Sequence, residues 1–387
     1  MLKGWATAAG TAEYAAKHSQ FPFRHSGATG LMFSGAGFGC YRVDIGISEH
    51  RAALTQALRS GINVIDTSAN YADGGSEKLV GYVMGQLAAD GKVRRDEVIV
   101  VSKAGYLQGS NYQISQNRKE QGTSFPELVE YDEGLEHCIH PEFLRHQITA
   151  SLERLGMERI DCFLLHNPEY FLKWAEREGF DQEEARQEYL RRIDAAFRCL
   201  EDEVKQGRIS WYGISSNTFP ARRDDFDSTP LDQIWDLAQS ISQDHHFRLI
   251  ELPLNLMEPE AMTRINQQGG KTVIELAREK GLAVLVNRPL NGIKNGRLVR
   301  LDETVYQGEA ARQAGQFRDD VAALNPSWQH AACLRHLAVL ALSSTAGISS
   351  VLVGMRRQSY VEDVLKILTR PHEQADNRSI WDQIAGD

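Results

Sequence analysis

Three titratable residues each end an otherwise apolar run: Asp66 after INVI, Lys103 after VIVVS and His166 after CFLL. A phenol, Tyr71, follows the first of them by five positions. A lone acid or histidine at a strand end is ordinarily a structural hydrogen-bonding group. Three on successive runs, with a tyrosine beside the first, form a set whose members have complementary uses. A buried ammonium beside a phenol favours phenolate and lowers the tyrosine pKa from its reference of about 10. The acid holds that lysine charged and in place. The tyrosine then gives a proton to a carbonyl oxygen and recovers it in reverse. A neutral histidine orients the same oxygen. The set is suited to reducing a carbonyl but lacks a hydride. No side chain supplies one, so a nicotinamide cofactor is implied.

Positioning such a set requires strands that end at one level. About eight apolar runs recur along the chain, at 35–41, 62–68, 97–105, 159–167, 208–216, 247–255, 282–290 and 348–355. Segments with helical spacing separate them, among them HRAALTQALRSG, PEFLRHQITASLERLG and YVEDVLKILTR. Several end in glycine before the next strand (Gly61, Gly156, Gly207, Gly281), where a left-handed residue closes a helix. Strict alternation of strand and helix implies parallel strands with crossover helices. About eight units suit a (β/α)8 TIM barrel, for which about 250 residues are typical. A doubly wound open sheet is the alternative, but no GxGxxG follows the first strand.

The surplus length falls in polar insertions near 107–140, 168–187 and 291–327, each after a strand and so on the active-site face. Residues 21–34 read as a hairpin across the barrel bottom. The expected organisation is an N-terminal extension at 1–20, one barrel domain at 21–370 and a tail at 371–387. The first insertion, with Tyr112, Phe125 and Tyr131, is expected to act as a lid or substrate wall. His137, His140, His245 and His246 lack a third ligand at suitable spacing and read as exposed loop histidines.

The net charge of -9, with no dense basic tract, argues against nucleic acid as a partner. No stretch approaches the roughly 20 apolar residues of a membrane helix, and the N-terminus has no signal-peptide run. Five scattered cysteines without a CxxC pair fit reduced thiols in the cytoplasm.

The stretch NVIDTSANYADGGSEKLVG resembles the NFIDTA-x-x-YG-x-GxSE-x-x-(I/L)G signature of the aldo-keto reductases. The resemblance continues through VSK at 101–103, LLH at 164–166, GRISWYGISS at 207–216 and SSVLVGMRR at 349–357. It implies a TIM barrel that binds extended NADPH without a Rossmann domain. It also implies a catalytic tetrad of Asp66, Tyr71, Lys103 and His166, with Tyr71 as general acid, acting on a small-molecule carbonyl or alcohol.

Cofactor positions follow from the same resemblance. Gly39, Cys40 and Tyr41 fall after the first strand, near the nicotinamide, where Asp66 also lies. Ser215 and Ser216 take the places that hold the carboxamide, with Asn217 next to them. Glu251 stands where the family often has glutamine, which leaves it only an acceptor role. Asn255 matches a family asparagine, with Leu254 replacing its tyrosine. In VNRPL, Asn287 replaces an aromatic that stacks on the nicotinamide, Arg288 replaces a serine and is placed to reach the pyrophosphate, and Pro289 and Leu290 follow. Gly354, Arg356 and Arg357 correspond to the stretch that meets the 2′-phosphate, which favours NADPH over NADH. Asp363 and Val364 fall where the family has Glu-Asn near the adenine. Two other functions fit parts of this pattern: an NADPH-binding regulatory subunit with little turnover, and a Schiff-base lyase using Lys103.

Overall fold

The computed structural model describes residues 1–294, 297–369 and 373–386. The eight apolar runs form eight parallel strands: β1 (Ala36–Gly39), β2 (Val64–Asp66), β3 (Ile99–Ala104), β4 (Ile160–His166), β5 (Ile209–Ser215), β6 (Phe247–Pro253), β7 (Ala283–Asn287) and β8 (Ser350–Val353). They pair in chain order and β8 closes on β1, so the sheet is a barrel. One helix of each crossover packs outside: α1 (Ser48–Arg59), α2 (Gly75–Ala89), α3 (Pro141–Leu155), α4 (Gln182–Lys205), α5 (Leu231–Ile241), α6 (Val273–Glu279), α7 (Leu334–Ser343) and α8 (Gln358–Leu368). Gly61, Gly156, Gly207 and Gly281 all have positive φ, as expected for chain reversals after helices.

The strands are buried on both faces, which is why their sequences are continuously apolar rather than alternating. Alternate residues nevertheless divide between two cores. Val64, Ile99, Val101, Cys162, Leu164, Leu249 and Leu285 pack inside the ring. Ile65, Val100, Phe163, Leu165, Ile250 and Val284 face the helices. Leu31 and Phe33 of the hairpin join the inner group and plug the barrel bottom. That hairpin pairs Phe23–His25 with Met32–Ser34 in antiparallel register.

The period of two carries the inward positions up to the rim. Asp66 continues Val64, Lys103 continues Val101, His166 continues Leu164, Glu251 continues Leu249 and Asn287 continues Leu285. The register then sets Gly39 beside Asp66, and Ser215 between His166 and Glu251. Five polar side chains therefore cap one apolar column.

The insertions carry structure of their own. After β3 come helix Gly109–Glu120 and a three-stranded antiparallel sheet of Tyr106–Leu107, Leu135–His137 and Val129–Asp132. The second holds helix Tyr170–Arg177 and the start of α4. The third holds a hairpin, Asn291–Lys294 with Arg297–Arg300, and helix Gly308–Ala323; its residues 295–296 lie outside the described set. So does the expected domain boundary at 370/371, with residues 372 and 387 of the tail. Further along the tail, helix Arg378–Gly386 buries Trp381, whose indole N–H donates to Thr345 Oγ1 at 2.9 Å. No helix among the described residues is long and apolar enough to cross a membrane.

The N-terminal residues are tied to the barrel bottom through one buried charge. Asp161 at the start of β4 accepts from the backbone N–H of Ala6 at 2.6 Å and of Val100 at 2.7 Å, and pairs with Arg95 at 2.8 Å. Both partners of that ion pair are almost fully buried. Removing one alone strands the other in a low-dielectric site. Arg95→Met is expected to lower the unfolding free energy by about 3 kcal/mol. Arg95→Met combined with Asp161→Leu should destabilise by clearly more than Arg95→Met alone, because Asp161 also caps two amides. Chemical denaturation of the three proteins checks both statements.

Candidate active site

Lys103 is fully buried at the rim of β3, and three groups converge on its Nζ. Asp66 Oδ1 lies at 2.7 Å, Tyr71 Oη at 3.2 Å, and Glu251 Oε2 and Oε1 at 2.9 and 3.1 Å. Asn287 Nδ2 donates to Glu251 Oε1 at 2.9 Å. The His166 ring stands edge-on to Tyr71 with centroids 5.8 Å apart, and its Nδ1 lies 3.1 Å from Ser68 Oγ. The four residues singled out as a tetrad thus share one site, and Glu251 and Asn287 extend it.

The electrostatics differ from expectation at Tyr71. Lys103 does pull its pKa down, but burial and the two carboxylates push it up more, so the phenol is held above its usual range. The lysine is raised well above its usual value, because the two carboxylates outweigh desolvation. Burial and the nearby ammonium drive His166 well below its usual value, so the ring is neutral.

Three loops that leave the rim carry left-handed non-glycine residues. They are Ala72 and Asp73 after Tyr71, Asn167 after His166, and Arg288 after Asn287, with φ between 49° and 53°. Such residues cost of order 1–3 kcal/mol each and persist where surroundings fix them. Asp73 is fixed by the first insertion, whose Ser110 donates to Asp73 Oδ1 through its backbone N–H and its hydroxyl at 3.0 and 2.7 Å.

That insertion also forms one wall of the site. Tyr106 lies edge-on to His166 at 4.8 Å and to Tyr170 of the second insertion at 5.1 Å. Tyr41, two-thirds exposed, stands edge-on to Tyr71 at 5.3 Å. His137 is not an exposed loop histidine: it is 1% exposed, and its Nε2–H donates to the His166 carbonyl at 2.8 Å. Burial lowers it to about 4, so it stays neutral. Gly105 makes this approach possible, because a Cβ there would lie 2.3 Å from the His166 carbonyl oxygen and 2.6 Å from His137 Nε2. His245 is also buried, against Gln239 at 2.8 Å, whereas His246 is half-exposed and pairs with Glu201. Among the described residues no cluster of His, Cys, Asp or Glu could hold a metal ion.

The residues assigned to a cofactor divide into those facing the rim and those already engaged. Cys40 is buried and Gly39 sits beside Asp66. Ser216 turns away from the mouth into a hydroxyl cluster with Thr218 and Thr229, at 3.2 and 2.9 Å. Ser215 is buried between β4 and β6, and Asn217 is exposed. Asn287 Oδ1 is buried without a hydrogen-bond partner among the described residues. Arg288 pairs with Glu258 at 3.1 Å, so its guanidinium closes a loop salt bridge. Pro289 is buried and Leu290 packs against the core. Asn255 serves the same turn, accepting from the N–H groups of Met257 and Glu258. Beyond β8, Gly354 and Arg356 are exposed, and Arg356 has no ion-pair partner among the described residues. Arg357 lies 3.6 Å from Glu49. Asp363 accepts from His336 at 2.7 Å, and Val364 is in the core.

By comparison with known proteins, the model of the aldo/keto reductase family matches residues 37–385. The chain belongs to this family. An NADH-specific methylglyoxal reductase of Escherichia coli is 33% identical over 146 residues, which are 37% of this chain and 39% of that protein. The chain therefore matches well under half the length of that relative. The solved aldo-keto reductase AKR11C1 of Bacillus halodurans, in its holo form, superposes with a TM-score of 0.58 over 94% of this chain and 96% of its own, at 19% identity. An aldo/keto reductase of Klebsiella pneumoniae, solved with NADP and acetate, gives 0.54 over 94% of both chains at 16% identity. These two structural likenesses speak to the fold.

One acid at this rim escaped the sequence reading. Glu169, three residues past His166, is fully buried and accepts from the Asn217 N–H at 2.9 Å. Its other oxygen has no hydrogen-bond partner among the described residues. Burial pushes it up to about 7. A carboxyl raised in the folded state stabilises fully below its unfolded pKa, and that stability is lost as pH rises through the folded value. The window here runs from about 4.5 to about 7. Glu169→Gln keeps an acceptor for Asn217 and never ionises. It should therefore match the parent near pH 4 and exceed it by on the order of 2–3 kcal/mol at pH 8. Denaturation midpoints across that range decide it; a pH-independent difference would remove Glu169 from the ionising role. Gly105→Ala should separate His137 from His166 and lower stability by more than 1 kcal/mol, readable in the same measurement.

Proposed function

We propose that this protein is a nicotinamide-dependent carbonyl reductase, or the reverse alcohol dehydrogenase, in which Tyr71 is the proton donor and NADPH the preferred cofactor. The observation that carries the reading is the Tyr71 hydroxyl at 3.2 Å from a fully buried lysine that the Asp66 and Glu251 carboxyl groups together hold charged. An ammonium at that distance stabilises the phenolate left when the proton departs. The hydroxyl accepts from Lys103, which leaves its own proton free to give, and it sits at the mouth beside exposed Tyr41. His166, neutral and fixed by Ser68 and by its own carbonyl's bond to His137, orients the substrate oxygen. Tyr106 and Tyr41 flank the opening and limit water beside the reacting carbonyl.

The chain's residues fit a nicotinamide dinucleotide. Asn287 Oδ1 is an unmatched buried acceptor at the rim, suited to a carboxamide N–H. Arg356 is an uncommitted cation just before α8, suited to a 2′-phosphate. The cofactor, when bound, supplies the hydride. Ser216 and Arg288, being engaged elsewhere, are not needed for this fit. Five free thiols support a reducing compartment such as the cytoplasm. The lyase alternative requires an uncharged lysine. Two carboxylates at 2.7–3.1 Å keep Lys103 protonated, which disfavours that role.

Quenching of tryptophan fluorescence by NADPH and by NADH tests the cofactor, followed by turnover on aldehydes, ketones and sugars. Tyr71→Phe should bind NADPH as the parent does and lose at least about 100-fold in kcat. Retention of parental kcat would remove Tyr71 as the acid. Arg356→Ala should weaken NADPH by about tenfold or more and leave NADH nearly unchanged; equal weakening of both would contradict the 2′-phosphate contact.

A further inference from the structure

We propose that Glu251 and Asp66 together hold one shared proton beside the Lys103 ammonium, so that a single negative charge faces that lysine next to Tyr71. This proton pair does not rest on the reductase reading above.

The geometry sets a charge problem. Two carboxylates contact one ammonium at 2.7–3.1 Å, and Asp66, Lys103 and Glu251 are 4%, 0% and 2% exposed. Asp66 and Glu251 both ionised would leave a net charge of -1 in the barrel column. The neighbouring groups do not compensate it. Cys40 on β1 and Cys162 on β4 are held as thiols by burial, and His166 is neutral. Tyr71 is a phenol, and Ser215 and Asn287 carry no charge. Lys103 is therefore the one cation of the pocket among the described residues.

Two carboxylates that share a site do not both ionise easily, and a proton between them is the usual resolution. Two orphaned acceptors mark the place for it. Asp66 Oδ1 and Glu251 Oε2 are buried, and each has only the ion-pair contact with Lys103. Asp66 is the member pushed towards its neutral acid form, by burial first and by Glu251 second, against the pull of Lys103. Asn287 donates to Glu251 Oε1, so that carboxyl has a donor besides Lys103. Tyr71 is held as a phenol by burial first, with the carboxyl pair offsetting the pull of Lys103. Replacing Glu251 by a neutral amide leaves Lys103 facing ionised Asp66 alone, so the shared proton is lost while the charge beside Tyr71 stays the same.

The test uses the full chain without cofactor, in a Glu169→Gln background so that no other rim carboxyl is near its midpoint. Infrared difference spectra at pH 8 should show the C=O stretch of a protonated buried carboxyl in this parent and in Tyr71→Phe. The band should vanish in Glu251→Gln and in Asp66→Asn, which each leave a single counter-ion. No band in the parent, or a band that survives both substitutions, overturns the shared proton. Tyrosinate absorbance, taken against Tyr71→Phe, should have nearly the same midpoint in Glu251→Gln as in the parent, because one negative charge faces Lys103 in both. A midpoint lower by about one pH unit or more in Glu251→Gln would mean that both carboxylates are ionised in the parent and overturns the shared proton. Neither readout needs turnover, so a chain that binds no nicotinamide would sink the reductase reading and leave the proton pair standing.

Discussion

A buried ammonium is the constraint around which this molecule is arranged. Lys103 sits in the column of apolar residues that fills the barrel, where an unpaired charge costs several kcal/mol. It is tolerable only because Asp66 comes from β2 and Glu251 from β6 to meet it. Those strands are not neighbours of each other, so the contacts require a closed barrel with its strands in one register. Coulomb attraction across the barrel and hydrogen bonding around it thus specify the same geometry. Tyr71 joins this arrangement from a loop held in a left-handed conformation, which places its hydroxyl on the ammonium rather than in solvent.

Much of this was legible in the residues. The expected eight strands and the bottom hairpin correspond to elements of the barrel, because parallel buried strands leave unbroken apolar runs between amphipathic helices. Asp66, Lys103 and His166 were visible as polar breaks in those runs. Glu251 and Asn287 carried the same signal, since each also continues an inward-facing position. Their partner was hidden because pattern gives the face of a strand and not the neighbour across the ring. Analogy placed Glu251 against a carboxamide, while its actual partner is the lysine. The acidity of Tyr71 differs from the sequence expectation chiefly because the phenol is buried, which the local pattern does not show, and then because the carboxyl groups oppose the pull of Lys103.

The insertions were legible as polar surplus but not as architecture. Their short strands satisfy each other within a three-stranded sheet, and nothing in a polar stretch of this length announces such pairing. His137 shows the consequence. In the sequence it is one histidine in a loop; in the fold it is buried against the carbonyl of His166. A glycine, Gly105, permits that approach, and its purpose becomes visible only once both histidines are placed. Glu169 escaped notice similarly, because a glutamate after a strand is usually solvated.

The departures from the family pattern are connected rather than scattered. An acid on β6 needs a donor, and Asn287 on β7 supplies one where an aromatic ring has no N–H to give. An arginine after Asn287 would be stranded near this negative site without Glu258, which takes it. The three changes therefore describe one rewiring of the β6 and β7 rim, in which polar contacts within the protein replace a stacking surface. Such a rim is stiffer and more charged than a ring face. Its hydrogen bonds have fixed directions, whereas a stacking face permits sliding. The same rewiring gives Lys103 its second carboxyl partner, so the charge balance around the buried ammonium depends in part on this one pair of strands.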